Sequence, residues 1–259
     1  MGFEIMEDIR KDYVYDLIGS GKRVDGRGFR EYREITVERD LIKNAEGSAL
    51  VKIGDTVVLV GVKLEPGEPF PDAPNQGVIM TNAELVPMAS PDFEPGPPDE
   101  NSVELARIVD RGIRGSEAID LERLCIEAGE KVWMVFIDIH VLDNDGNLVD
   151  AAALGAIASL LNTRIPNEKY GLTGENTLPM RDKPVAVTTV EIGDAILVDP
   201  NLYEENAATS KLTVISNAED ALTGMQKSGS GGLKVEEIVE MVDNGLEKAK
   251  EIRKKYLVT

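Results

Sequence analysis

Three arginines, Arg107, Arg111 and Arg114, stand at i, i+4 and i+7, a spacing that places them on one face of an α-helix. Such a stripe can meet backbone phosphates of a single nucleic-acid strand. It can equally be a solvated face on which Glu104 and Asp110 pair with the arginines. Carboxylates cluster at Asp199, Glu204 and Glu205 after a strand-like run, a set able to hold Mg²⁺ or to form a solvated turn in so acidic a chain. Asp143-Asn144-Asp145-Gly146-Asn147 is turn chemistry, and a helix beginning behind it would aim free N–H groups at any anion above it. It is not a calcium loop: with Gly146 in sixth place, the first and twelfth ligands would be Val141 and Ala152. His140, the only histidine, shares a strand face with Asp138, but no serine lies in a nucleophile-elbow context, so a hydrogen-bonded strand histidine is expected. One histidine and one cysteine exclude a zinc site. The loop Ser228 to Gly232 is neither a P-loop nor a dinucleotide fingerprint, since Lys234 stands where a third glycine would fall. No metal and no cofactor are expected.

These residues need elements to position them. Val132 to Leu142 is β-rich and apolar on both faces of the alternation, which predicts a central strand covered on each side. From Asp150 the run Ala-Ala-Ala-Leu-Gly-Ala-Ile-Ala-Ser-Leu-Leu predicts a small-residue helix lying close on a sheet. Pro97-Pro98-Asp99 leads into a helix over 100–115 with Val103, Ala106, Val109 and Ile113, beside Leu105 and Ile108, as its apolar side. Before it, Glu65 to Asp99 holds nine of the thirteen prolines around a strand near Gly77 to Met88, an ordered excursion. Ile5, Ile9, Tyr13 and Leu17 predict an amphipathic helix over 4–18, and Arg23 to Gly28 a surface turn followed by a short strand at 34–38. Runs at 48–53 and 56–64 flank Gly54-Asp55, and 190–198 repeats this pattern around Gly193-Asp194. The repeat suggests a duplicated α+β unit or convergence of two ordinary hairpins. Short strands at 184–192, 195–198, 211–215 and 221–226 suit an antiparallel sheet, and Val235 to about Lys255 predicts a long helix with Val235, Ile238, Val242, Leu246, Ala249, Ile252 and Tyr256 inward.

With 259 residues, 42% of them hydrophobic, the chain can bury one large core or two modest ones. Its 28 basic and 47 acidic residues give a net charge of −19, which opposes a broad grip on nucleic acid or an anionic membrane. Cys125 alone cannot form an internal disulfide, and no apolar run reaches membrane-spanning length, so a cytoplasmic protein without membrane partners is expected. The polar stretch Asn162 to Arg181 divides lobes of 1–180 and 181–259.

Four stretches, GSALVKIGDTVVLVGV, DENSVELARIVDRGIR, DIHVLDNDGNLVDAAALGAIASLLN and VDPNLYEENAATSKLTV, resemble the RNase PH family of phosphorolytic 3′-to-5′ exoribonucleases. The resemblance runs from about Arg23 through the last helix and is nearest to the family's non-catalytic branch in the archaeal exosome. It implies an α+β class with the duplicated RNase PH fold, a ribosomal protein S5 domain 2-like lobe plus a smaller αβ lobe. Active members carry a Gly-Ser/Thr-Arg triplet that cradles phosphate; Asn147, Leu148 and Val149 match it here. Without the guanidinium and hydroxyl, and with Asp143, Asp145 and Asp150 nearby, phosphate should not bind. Asp199 and Glu205 match the family's acidic positions, while Lys211 stands where a later aspartate would be, and a cation cannot share Mg²⁺. The resemblance thus implies a subunit without catalysis of its own. It would alternate with a homologous catalytic chain in a hexameric ring, a trimer of heterodimers, beneath cap subunits with S1 or KH domains. Arg107 and Arg111 match positions that line the path of single-stranded RNA, with Arg114 beside them. The alternatives are an active phosphorolytic or Mg²⁺-dependent exoribonuclease using Asp199 and Glu205, and a scaffold whose arginines pair only with a neighbouring subunit.

Overall fold

Alternating apolar strands broken by Gly-Asp turns build two sheets, and the alanine-rich helix lies between them. The computed structural model describes the backbone of residues 2–258 and the side chains of 10–258. In chain order the elements are α1 (Gly2–Gly19), β1 (Ile35–Arg39), β2 (Gly47–Ile53), β3 (Thr56–Gly67), β4 (Val78–Leu85), α2 (Glu100–Gly115), β5 (Cys125–Glu127), β6 (Lys131–Asp143), α3 (Leu148–Leu161), β7 (Val185–Ile192), β8 (Ala195–Val198), α4 (Leu202–Ala207), β9 (Ser210–Ser216), β10 (Leu222–Ser228) and α5 (Val235–Tyr256). The first sheet runs β1-β2-β3-β6-β4, with β5 also on β6. All its pairs are antiparallel except β4 with β6. The second, β10-β9-β7-β8, is antiparallel throughout. The hairpins β2–β3 and β7–β8 turn at Gly54 and Gly193, both at positive φ, where glycine avoids the Cβ clash.

α3 packs against β2 and β3 on one side and β7 on the other, and α5 covers the far side of the second sheet. Close approach explains the small residues of α3: a Cβ on Gly155 would sit 2.8 Å from Cγ2 of Val60. One apolar core joins both lobes, from Val60 and Ile139 through Ile157 to Val187 and Ala249.

Several sequence expectations change in detail. β6 is central in its pairing, and Val132, Trp133, Val135, Ile137, Ile139 and Val141 are buried, but from Met134 onward its other face, with Met134, Phe136, Asp138, His140 and Leu142, is half-buried. Its apolar residues therefore do not mean cover on both sides. In α2 the inward side is Leu105, Ala106, Ile108, Val109 and Ile113 as expected, whereas Val103 is exposed. In α5 Val235 is exposed and the face against the sheet runs through Met241, Gly245, Ala249 and Ile252. For α1, Val14 and Ile18 are the buried positions and Tyr13 is exposed, one step round the helix from the expected face; the side chains of Ile5 and Ile9 lie outside the described residues. β5, of three residues, and α4, of six, are too brief to carry a period in the sequence. Among the described residues, no helix is long and apolar enough to cross a membrane.

Candidate functional site

The loop between β6 and α3 meets the loop between β8 and α4 at the junction of the two sheets. Gly146 makes this possible: it stands at φ 81°, and a Cβ there would lie 2.5 Å from the carbonyl carbon of Asn201. The neighbouring Asn147 and, across the junction, Asp199 hold the left-handed region at φ 56° and 51°. Asn and Asp tolerate that conformation better than other side chains. Asn147 Nδ2 donates to Asp199 Oδ1 at 2.7 Å and to Asp150 Oδ2 at 2.8 Å.

Arginines from the segment before β1 fill the remaining valences. Arg33 donates to both Asp199 oxygens, Nε to Oδ2 at 3.0 Å and Nη2 to Oδ1 at 2.8 Å, and through Nη1 to Asp145 Oδ2 at 3.1 Å. Arg27 Nη1 adds a bond to Asp199 Oδ2 at 2.9 Å. Arg23 grips Glu204 with Nε at 2.8 Å and Nη2 at 2.5 Å, both side chains fully buried. Burial pulls the Arg33 guanidinium down, but the hydrogen bonds and charges of Asp199 and Asp145 outweigh it and hold it above its ordinary value. Arg23 to Gly28 is a surface turn at Val24, Asp25, Gly26 and Gly28 as expected, but Arg23 and Arg27 reach inward from it to Glu204 and Asp199 and, with Arg33, clamp the junction, so Asp199 and Glu204 are not a solvated turn. Asp199 has no exposed side-chain surface and already accepts from Arg27, Arg33 and Asn147, so it is not free to share a cation with Glu205. Among the described residues no cluster of three or more His, Cys, Asp or Glu side chains could hold a metal ion.

A chain of short hydrogen bonds crosses the same junction. The Tyr32 hydroxyl donates to Asp150 Oδ2 at 2.5 Å, Thr188 Oγ1 donates to Asp150 Oδ1 at 2.7 Å, and the Thr188 and Thr213 hydroxyls are 2.8 Å apart. Burial pushes the Asp150 carboxyl up to about 6 against the pull of these donors, and burial with the Asp150 charge raises the Tyr32 hydroxyl well above its usual range. Asp150 is thus tied into the interior and does not spread an open negative field over the helix end.

Beside this network lies a cavity of about 330 Å³. Four of the sequence-predicted residues line it: Leu148 and Val149 from the first turn of α3, with Glu205 and Lys211 from the second lobe. Lys211 Nζ donates to Glu205 Oε1 at 3.2 Å. Asn147 and Asp199 lie in the hydrogen-bonded junction described above. An open groove along α2, lined by Glu104, Arg107, Arg111 and Gln226, adjoins the cavity through Glu104 and Ile108. The helix begins at Asp99, whose carboxylate accepts from the Ser102 N–H at 2.8 Å. Its three arginines are exposed but differ. Arg107 makes no hydrogen bond or ion pair among the described residues. Arg111 Nη1 donates to Gln226 Oε1 at 2.7 Å, and Arg114 pairs with Asp110 at 2.7 Å and donates to the Ile79 carbonyl at 2.6 Å. Glu104 is not an arginine partner; it accepts weakly from Ser228 at 3.4 Å. His140 stands apart, its Nδ1 3.2 Å from Glu84 Oε2 on the half-open sheet face. Three of the four arginines between positions 23 and 33, Arg23, Arg27 and Arg33, are the missed functional signal, since they reach buried carboxylates, whereas Arg30 pairs with Glu240 at the surface.

Comparison with known proteins agrees with this geometry. Residues 31–166 match the RNase PH profile described as "3' exoribonuclease family, domain 1", and residues 182–248 match its domain 2. A Methanocella arvoryzae protein named exosome complex component Rrp42 is 58% identical over 98% of both chains. The Archaeoglobus fulgidus protein of the same name is 53% identical over 98% of both. A chain of the Archaeoglobus fulgidus exosome with RNA bound to the active site superposes with a TM-score of 0.95 at 54% identity, covering 97% of this chain and 99% of that one. Rice Rrp46, at 20% identity and a TM-score of 0.71 over 91% of this chain and 99% of that one, shares the fold. Two sheets clamped at a shared junction, together with both domain profiles and these relatives, place the chain in the RNase PH family of 3′ exoribonucleases.

Proposed function

We propose that the chain is the non-catalytic, RNA-positioning member of an archaeal-type exosome ring. It would alternate with a homologous catalytic chain in a trimer of heterodimers, in the cytoplasm and beneath S1 or KH cap subunits. The observation that carries this is the cavity at the start of α3. The family's phosphate triplet is matched by Asn147, Leu148 and Val149; the N–H donors of Asn147 are spent on Asp150 and Asp199, its Oδ1 can only accept, and Leu148 and Val149 bring only aliphatic side chains. Lys211 neutralises Glu205 where a second carboxylate would be needed for Mg²⁺. An active exoribonuclease using Asp199 and Glu205 has the burial and saturation of Asp199 against it. The division into lobes of 1–180 and 181–259 is part of the proposal.

Arg107 and Arg111 are the proposed RNA contacts. Their groove is open, and Arg107 has no hydrogen-bond or ion-pair partner among the described residues. Arg114 completes the stripe, but its hold on Asp110 and the Ile79 carbonyl also fits the scaffold alternative at that position. Purified chain mixed with its catalytic homologue should give a hexamer-sized species with phosphate-dependent RNA degradation, and the chain alone should give none. Phosphorolysis by the chain alone would overturn the proposal. In the assembled ring, Arg107→Glu should weaken RNA binding and reduce the log-log salt slope by about 0.7, the single-strand value per phosphate contact; an unchanged slope would return Arg107 to a solvated face.

A further inference from the structure

The cavity that lacks a phosphate grip still has recognition chemistry, and it is of a different kind. Its volume of about 330 Å³ is at the lower end of small-ligand pockets. Its lining includes the apolar side chains of Leu85, Phe93, Leu105 and Ile108, against which a flat ring could lie. The lining also carries the Lys211–Glu205 pair, part-buried, with side-chain exposures of 30% and 19%. That pair is only partly satisfied. Lys211 uses one N–H on Glu205 Oε1, and Glu205 Oε2 has no partner among the described residues. Two carboxylate oxygens with an ammonium beside one of them present an acceptor–acceptor–donor edge. Its complement is a planar group with two adjacent N–H donors followed by a carbonyl.

Among nucleobases this is the edge of guanine. Its N2–H and N1–H would donate to Oε2 and Oε1 of Glu205, and O6 would accept from Lys211, which already lies next to Oε1. Adenine, cytosine and uracil each lack the paired donors. We infer that this cavity is a binding pocket for an unpaired guanine base. The inference rests on the proposed RNA-positioning role only in supplying RNA as the natural source of the base, since the groove of Arg107 and Arg111 opens beside the pocket. The pocket reads a base and involves no bond-breaking step.

The test uses the full chain with methyl-labelled leucine and valine, titrated separately with GMP, AMP, CMP, UMP and inorganic phosphate. GMP should shift the methyl signals of Leu148 and Val149 and bind roughly tenfold more tightly than the other nucleotides, the discrimination one bidentate base contact supplies. Glu205→Gln, whose amide turns an N–H toward a guanine donor, should bring the four nucleotides within about twofold of one another. Lys211→Met should weaken GMP most. Unchanged methyl signals elsewhere, at Val60 and Val187 in the core, verify that each variant is folded. Equal binding of the four nucleotides, a GMP preference that survives Glu205→Gln, or the same shifts with inorganic phosphate would overturn the inference. So would GMP shifts at Val103 in the arginine groove without shifts at Leu148 and Val149. Because the free chain is used, these outcomes are independent of whether the ring assembles or degrades RNA.

Discussion

At the scale of single residues, Asp150 is the most informative group. Its four hydrogen bonds join α3 to β7 and to Tyr32, yet burial raises its pKa from 3.8 to about 6. A carboxyl whose folded value is raised contributes its full stability below the unfolded value, and that contribution is lost as pH rises through the folded value. Asp150 therefore opposes folding above about pH 6. In Asp150→Asn the amide oxygen can accept from Tyr32, Asn147 and the Thr188 N–H, while the amide nitrogen donates to the Thr188 hydroxyl. Urea unfolding should show Asp150→Asn more stable than wild type at pH 8 by about 1–3 kcal/mol, with the difference shrinking toward pH 4. A difference independent of pH would mean the carboxyl is not the titrating group. Arg23 and Glu204 make the converse case, since each is fully buried with the other. Glu204→Ala should cost about 3–5 kcal/mol by leaving a buried guanidinium without its carboxylate. The double variant Arg23→Met with Glu204→Met should cost less than that single change, because neither charge is then buried alone.

At the scale of elements, α2 and the β6–α3 loop set the geometry of the site. Asp99 caps α2 through the Ser102 N–H and so holds the first turn beside the cavity. Asp99→Ala should lower stability by about 1 kcal/mol and, because the arginines ride on this helix, should weaken RNA binding by the assembled ring less than Arg107→Glu does. The loop is less forgiving. A methyl group at position 146 would meet the Asn201–Leu202 peptide at 2.5–2.6 Å, and alanine is also strained at φ 81°. Gly146→Ala should destabilise the chain by on the order of 2–4 kcal/mol in chemical denaturation, whereas alanine at Gly129, where nothing lies within 4 Å, should cost only the strain of its positive φ, about 1 kcal/mol.

At the scale of the whole molecule, a charge of −19 surrounds a junction whose own charges are paired and buried. Surface self-repulsion is screened by salt and the buried pairs are not. The Tm should therefore rise as NaCl increases from about 10 to 200 mM, a range over which the Debye length falls from roughly 30 Å to under 10 Å; a falling Tm would mean exposed ion pairs outweigh the repulsion. The sequence by itself determined the elements with a long period or a strong punctuation: α2 with its Pro-Pro-Asp start, β6, the two Gly-Asp hairpins and α3. Those signals are local, set by backbone propensity and by which residues alternate, and the wording of four stretches carried the family with them. That Asn147, Leu148 and Val149 carry no guanidinium and that position 211 carries a lysine in place of a carboxylate is equally legible, because a missing group is missing in any fold; their match to the family's phosphate and acidic positions is part of the proposal. Only the tertiary structure decided what the charged residues do. Arg23 and Asp199 are 176 positions apart and bonded at 2.8 Å, and no spacing in the sequence encodes that meeting. It also separated Asp199 from Glu205, divided the arginine stripe into Arg107, without a partner among the described residues, and the engaged Arg114, and left one face of β6 half-buried from Met134 to Leu142. Burial and partnership are properties of the folded surface, and a chain read in order does not yet have one.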